Sequence, residues 1–82
     1  MTENKTKIEQ YVIDKIKEVR TKKGFSQDDV AAFLDTTRGF IGQVESPNHP
    51  SKYNLNHINK LALEMGCSPK DFLPSNPIQE KD

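Results

Sequence analysis

The chain has 82 residues, 33% of them hydrophobic, with no tryptophan and one cysteine, Cys67; twelve basic residues balance twelve acidic ones, for a formal net charge of zero. That length supports one small domain with an economical core. A lone cysteine excludes an internal disulfide and suits a reducing compartment, and no apolar run approaches the roughly 20 residues of a membrane span.

Residues 1–7 are polar and uncapped as read from the sequence, and are expected to form a flexible segment. From Ile8 to Lys23 the spacing predicts an amphipathic helix, with Ile8, Val12, Ile16 and Val19 recurring three and four residues apart. Lys15, Lys17, Arg20, Lys22 and Lys23 crowd its polar side, so the cations are clustered although the sum is neutral. Gly24 ends this helix, being free to take a left-handed conformation.

Ser26 opens a second helix, with Asp29 three residues on as the answering half of a short-armed capping box. Val30, Ala31 and Leu34 give its apolar stripe. Leu34-Asp35-Thr36 is a turn, where aspartate is among the few non-glycine residues that tolerate a positive φ. Thr37 caps a third helix running to about Glu45.

That third helix has two unlike faces. At roughly 100° per residue, Phe40, Ile41 and Val44 share one arc, while Arg38, Gly39, Gly42 and Gln43 share the other. One face suits a core. The other offers two long hydrogen-bonding side chains beside residues with none, a surface suited to something large and polar, for which duplex DNA is the natural candidate.

Pro47 and Pro50 make Ser46–Lys52 a loop. Asn54 caps a fourth helix, with Tyr53 and Ile58 at the spacing of a hydrophobic staple. Leu55, Ile58, Leu61, Ala62 and Met65 form its apolar face, and Gly66 stops it. Ser68-Pro69-Lys70-Asp71 starts a short fifth helix with Phe72 and Leu73 on the buried side. Residues 74–82 carry no periodic pattern and are expected to be a disordered tail. The expected fold is therefore all-α, five short helices over residues 8–73 with no strand.

Ile16 and Arg20 ahead of Gly24, then Ser26-Gln27, Val30-Ala31, Leu34, Ile41, Val44-Glu45, Leu61-Ala62 and the ending from Cys67 to Leu73 resemble the Cro/C1-type (XRE-family) helix-turn-helix domain, related to phage repressors. The resemblance covers about residues 13–73, with the helix-turn-helix at about 26–45. It implies a five-helix lambda-repressor-like fold that binds double-stranded operator DNA to regulate transcription, as a repressor acting in the cytoplasm. Carried over by position, it implies base contacts from Arg38, Gly39 and Gln43 and phosphate contacts from Gln27, Thr37, Lys52, Tyr53 and Asn54. It further implies a structural ion pair between Arg20 and Glu45, and a homodimer that is small or forms only on DNA.

Other readings are weaker. His49, His57 and Cys67 lack any recognised metal spacing, and no phosphate loop, nucleophile elbow or paired acid and base appears, so neither a metal, a cofactor nor an enzymatic activity is expected. The serious alternative is a protein-protein interaction module or antitoxin-like subunit with little base readout. The neutral net charge and the two glycines on the outer face lend it weight, and an exposed apolar patch at Phe33 or Phe40 would mark it.

Overall fold

Four α-helices and one 3-10 turn make up the regular structure of the computed structural model, which describes residues 5–81. The helices are α1 (Lys7–Lys22), α2 (Gln27–Phe33), α3 (Arg38–Glu45) and α4 (Leu55–Met65), followed by the 3-10 turn Pro69–Phe72. No strand occurs among the described residues.

The helix ends are fixed by local chemistry. Ser26 Oγ accepts from the Asp29 amide at 3.0 Å and the Asp29 carboxylate accepts from the Ser26 amide at 2.8 Å, closing a reciprocal cap on α2. Thr37 Oγ1 accepts from the Phe40 amide at 3.1 Å to start α3. Between them the chain reverses through Asp35, the one non-glycine residue with positive φ (55°) among those described. The Thr36 amide bonds back to Ala31 and the Asp35 amide to Ala32, so the last carbonyls of α2 are satisfied inside the turn. Gly24, at φ 81°, closes α1 by the same device, its amide bonding to Thr21 and that of Phe25 to Arg20.

The expected fifth helix is a single 3-10 turn. Pro69 to Phe72 is too short for an α-helical ladder, and its bonds run from Asp71 to Ser68 and from Leu73 to Lys70, the three-residue spacing of the tighter helix. The turn persists because Phe72 is completely buried where it packs between α1 and α4. Burial of such a side chain contributes about 1.5–3 kcal/mol. Leu73, expected on the same buried side, is 43% exposed.

Three further expectations are corrected. Helix α1 starts at Lys7 under a capping box between Thr6 and Glu9, not uncapped at Ile8. Its buried stripe is Val12, Ile13 and Ile16, with Val19 only partly buried and Ile8 intermediate. The stripe is turned because α1 faces α3 and the 3-10 turn together. Leu55, expected on the apolar face of α4, is 80% exposed. It occupies the first helical position, where the Cα–Cβ bond leans back toward the helix start and beyond the packed interface. At the other end of the chain, the Glu80 carboxylate accepts from the amides of Lys7 and Ile8 at 2.8 and 3.1 Å. Residues 1–4 of the expected flexible segment and residue 82 of the expected tail lie outside the described residues.

Candidate nucleic-acid interface

Ile41 and Val44 have no exposed surface, and they bolt α3 to the core beneath α2. With that face inward, Arg38, Gly39 and Gln43 are exposed and Gly42 is intermediate. The middle of the outer face is bare backbone. A Cβ added at Gly42 would meet nothing within 4 Å, and one at Gly39 only Thr37 Oγ1 at 3.8 Å. Neither has a positive φ. The fold therefore does not require these glycines, although each costs the helix about 1 kcal/mol relative to alanine.

Beneath this face lies the Arg20–Glu45 pair. Arg20 Nε and Nη2 donate to the two oxygens of Glu45 at 2.9 and 3.0 Å, and Nη1 donates to the Phe25 carbonyl at 3.0 Å. Only 10% and 5% of the two side chains are exposed. The fork fixes the end of α3 to α1 and to the chain entering α2, a geometry that lysine could not reproduce.

Gln27 joins the same group. Its carboxamide donates to Glu45 Oε1 at 3.0 Å, so this side chain is spent on the ion pair rather than held out for a phosphate. The start of α2 is also occupied by its own Asp29 and flanked by exposed Asp28, both of which discourage an anion there. Thr37 and Asn54 are exposed at the starts of α3 and α4. Each accepts a capping bond, Asn54 from the His57 amide at 2.8 Å, and each keeps a donor, the Thr37 hydroxyl and the Asn54 amino group.

Tyr53 is a correction. Its side chain is only 7% exposed and its hydroxyl is enclosed with no hydrogen-bond partner among the described residues, so the phenol does not reach a phosphate. The staple position that places Tyr53 over Ile58 pulls the ring into the core. An enclosed, unpaired hydroxyl costs on the order of 1–3 kcal/mol. Burial, and then the nearby Glu45 charge, push its pKa well above the usual tyrosine value.

Lys52 is exposed, but its ammonium lies 3.0 Å from the Glu9 carboxylate. The segment carrying it is braced by both histidines: His49 Nδ1 accepts from the Ser51 amide and His57 Nδ1 from the Asn54 amide, each at 3.1 Å. The His57 ring also meets Phe40 and Tyr53 edge-on, and burial holds its pKa below the ordinary 6.5. An acceptor Nδ1 requires the neutral ring. The unfolded chain therefore takes up the proton first, and stability is full above about pH 6.5 and lost as pH falls through the lower folded-state value. We expect the melting midpoint to drop between pH 7.5 and pH 5. His57→Gln, which can still answer the Asn54 cap, should show a smaller drop over that range; an unchanged drop would clear His57 of responsibility.

Phe33 and Phe40, the anticipated markers of a protein-binding surface, are half-buried against the core, and Phe33 meets Phe25 edge-on at 5.2 Å. The large exposed apolar side chains are instead Leu55 and Leu63 of α4, 80% and 72% exposed, with Leu73 beyond it. Among the described residues no group of three or more His, Cys, Asp or Glu side chains is arranged to hold a metal, and no helix is long and apolar enough to cross a membrane.

No protein-family model matches the chain, and no curated protein matches it in sequence. Solved structures do. The restriction-modification controller protein C.AhdI from Aeromonas hydrophila superposes with a TM-score of 0.64 at 27% identity, over 80% of this chain and 96% of that one. The hypothetical transcription factor NHTF from Neisseria superposes with a TM-score of 0.67 at 22% identity, over 82% and 75% of the two chains. Together with the two capped helices and the Asp35 turn, these likenesses show a helix-turn-helix fold shared with those two proteins.

Proposed function

We propose that this helix-turn-helix domain is a transcriptional regulator that binds double-stranded DNA by laying the outer face of α3 in the major groove. The observation that carries the reading is the division of α3. Ile41 and Val44 are fully buried, whereas Arg38, Gly39 and Gln43 face out, and the one side-chain hydrogen bond these three make within the described residues is the long 3.5 Å contact that Gln43 accepts from the Ser51 hydroxyl. The likeness to a controller protein points the same way.

Arg38 and Gln43 read base edges, arginine being suited to guanine and glutamine to adenine. The Thr37 hydroxyl, the Asn54 amino group and the Lys52 ammonium take phosphates and set the register. Gly39 contributes by absence, letting the backbone approach the groove between the two long side chains. Regulation is by occupancy, as a repressor, and needs no catalytic step. Two copies on a palindromic site would lie about one helical turn apart, with the exposed Leu55 and Leu63 available to a second polypeptide.

The test is selection from a random duplex library with the full chain, followed by titration of the enriched duplex at several salt concentrations. A recurring sequence should emerge, and log affinity should fall with log salt at about 0.9 per phosphate engaged. No enriched sequence and no salt-dependent retention would overturn the proposal, and the leucines on α4 would then favour the protein-binding alternative.

A further inference from the structure

Lys5 is the buried cation that the proposed interface leaves unexplained. It stands ahead of α1, yet it is only 7% exposed. Enclosing an ammonium is costly unless strong acceptors meet it, and lysine is among the residues least often buried. Here the acceptors are carbonyls more than forty residues away in sequence: Lys5 Nζ donates to the Ser46 carbonyl and, at 2.5 Å, to that of His49.

Those carbonyls belong to the segment that leaves α3 and leads to Lys52. Ser46 is the C-terminal cap of α3, where unpaired carbonyls and the helix dipole both favour a cation. The segment has little to shape it from within. Pro47 and Pro50 remove two amides, and its own bonds are His49 to Ser46 and Ser51 to the His49 ring. Polar contacts reach residues 46–52 from the start of α1 through Lys5 and through Glu9, the latter by way of Lys52 at 3.0 Å. Burial holds the Lys5 pKa below the ordinary lysine value, with the Lys52 charge acting the same way and Glu9 opposing them.

We propose that Lys5 is a positioning residue: it straps the segment 46–52 to the start of α1 and so holds Lys52 where a DNA phosphate would meet it. The inference rests on the DNA-binding reading and extends the interface to a residue that does not itself touch DNA.

The experiment uses the full 82-residue chain, the duplex enriched by selection, and six proteins: wild type, Lys5→Met, Lys5→Arg, Lys52→Ala, Arg38→Ala and the Lys5→Met/Lys52→Ala double variant. At 0.9 per phosphate, one lost contact flattens the salt slope by about 0.9 and weakens binding about eightfold near 0.1 M salt. Lys5→Met should show both losses with its helical content retained, and faster hydrogen exchange at the Ser51 amide. Lys5→Arg should recover most of the slope, and the double variant should lose no more slope than Lys52→Ala alone. Should Lys5→Met fail to fold, Lys5→Gln, which can keep one donor without a charge, replaces it with the same change of slope expected. A Lys5 variant that keeps the wild-type slope while Lys52→Ala loses it overturns the strap and leaves the DNA-binding reading standing. Additive slope losses in the double variant overturn it too. If Lys52→Ala and Arg38→Ala are both silent, it is the DNA-binding reading that has failed.

Discussion

Arg38→Ala is expected to weaken binding to the preferred duplex by about 1–3 kcal/mol, roughly fivefold to 150-fold, and to relax preference at one or two base pairs. The reason lies in how little else projects from α3. Its outer face holds Arg38, Gly39, Gly42 and Gln43, and two of those four have no side chain. Gln43 is the other candidate reader, and its Oε1 lies 3.5 Å from the Ser51 hydroxyl, a long contact that a base edge could replace. Arg38 makes no hydrogen bond or ion pair within the described residues, so its truncation leaves nothing unpaired in the free protein. Stability should therefore change little, and the loss should appear in affinity and in sequence preference. Lys52→Ala provides the contrast, lowering affinity for every duplex alike. Competition binding against single-base variants of the selected site separates the two. Equal, small losses for both variants on every duplex would rule out base readout by Arg38.

The parts of the fold that were legible in the sequence are those decided within four or five residues. Ser26 with Asp29, Thr37, Asn54 and Gly66 all stand where side-chain chemistry alone selects a helix end, and the structure ends its helices there. The positive φ at Asp35 belongs to the same class. Thr6 and Glu9 carried an equally local signal, a threonine followed three residues later by a glutamate. Polar composition concealed it, because a run of charged residues reads as frayed until its cap is noticed.

Contacts between distant segments were not legible. Whether Ile8 or Ile13 faces inward depends on which elements α1 meets, and the 3-10 turn that helps decide this lies some sixty residues downstream. Gln27 and Tyr53 show the same limit at the candidate site. Their positions suggested phosphate contacts, but the side chains answer to Glu45 and to the core. Lys5 gave no signal at all, since its partners are backbone carbonyls, which every residue type possesses. The outer face of α3 could be anticipated because a helix of eight residues anchored by Ile41 and Val44 has only one way to face.

Breaking the Arg20–Glu45 pair is expected to have the largest effect on stability. Truncating either residue to alanine strands the other charge in a nearly closed site, at a cost of about 3–5 kcal/mol. A chain of 82 residues at about 0.05–0.15 kcal/mol per residue has about 4–12 kcal/mol in total, so either variant should lose a large fraction of its stability. The two truncations should not be equal. Loss of Arg20 also frees the Phe25 carbonyl, whereas loss of Glu45 also frees the Gln27 carboxamide, which can turn to water at the surface. Arg20→Ala should therefore be the worse of the two. The double replacement Arg20→Met/Glu45→Leu should recover much of the loss, because two apolar side chains of similar volume remove the desolvation cost along with the attraction. Urea denaturation of the four proteins, wild type included, ranks their stabilities. If each single truncation costs less than about 1 kcal/mol, as for an exposed ion pair, then Ile41 and Val44 hold α3 unaided. If instead the double variant is stable but binds the selected duplex poorly, the fork's contribution is to orient α3 on its support, and the apolar pair has kept the helix without its aim.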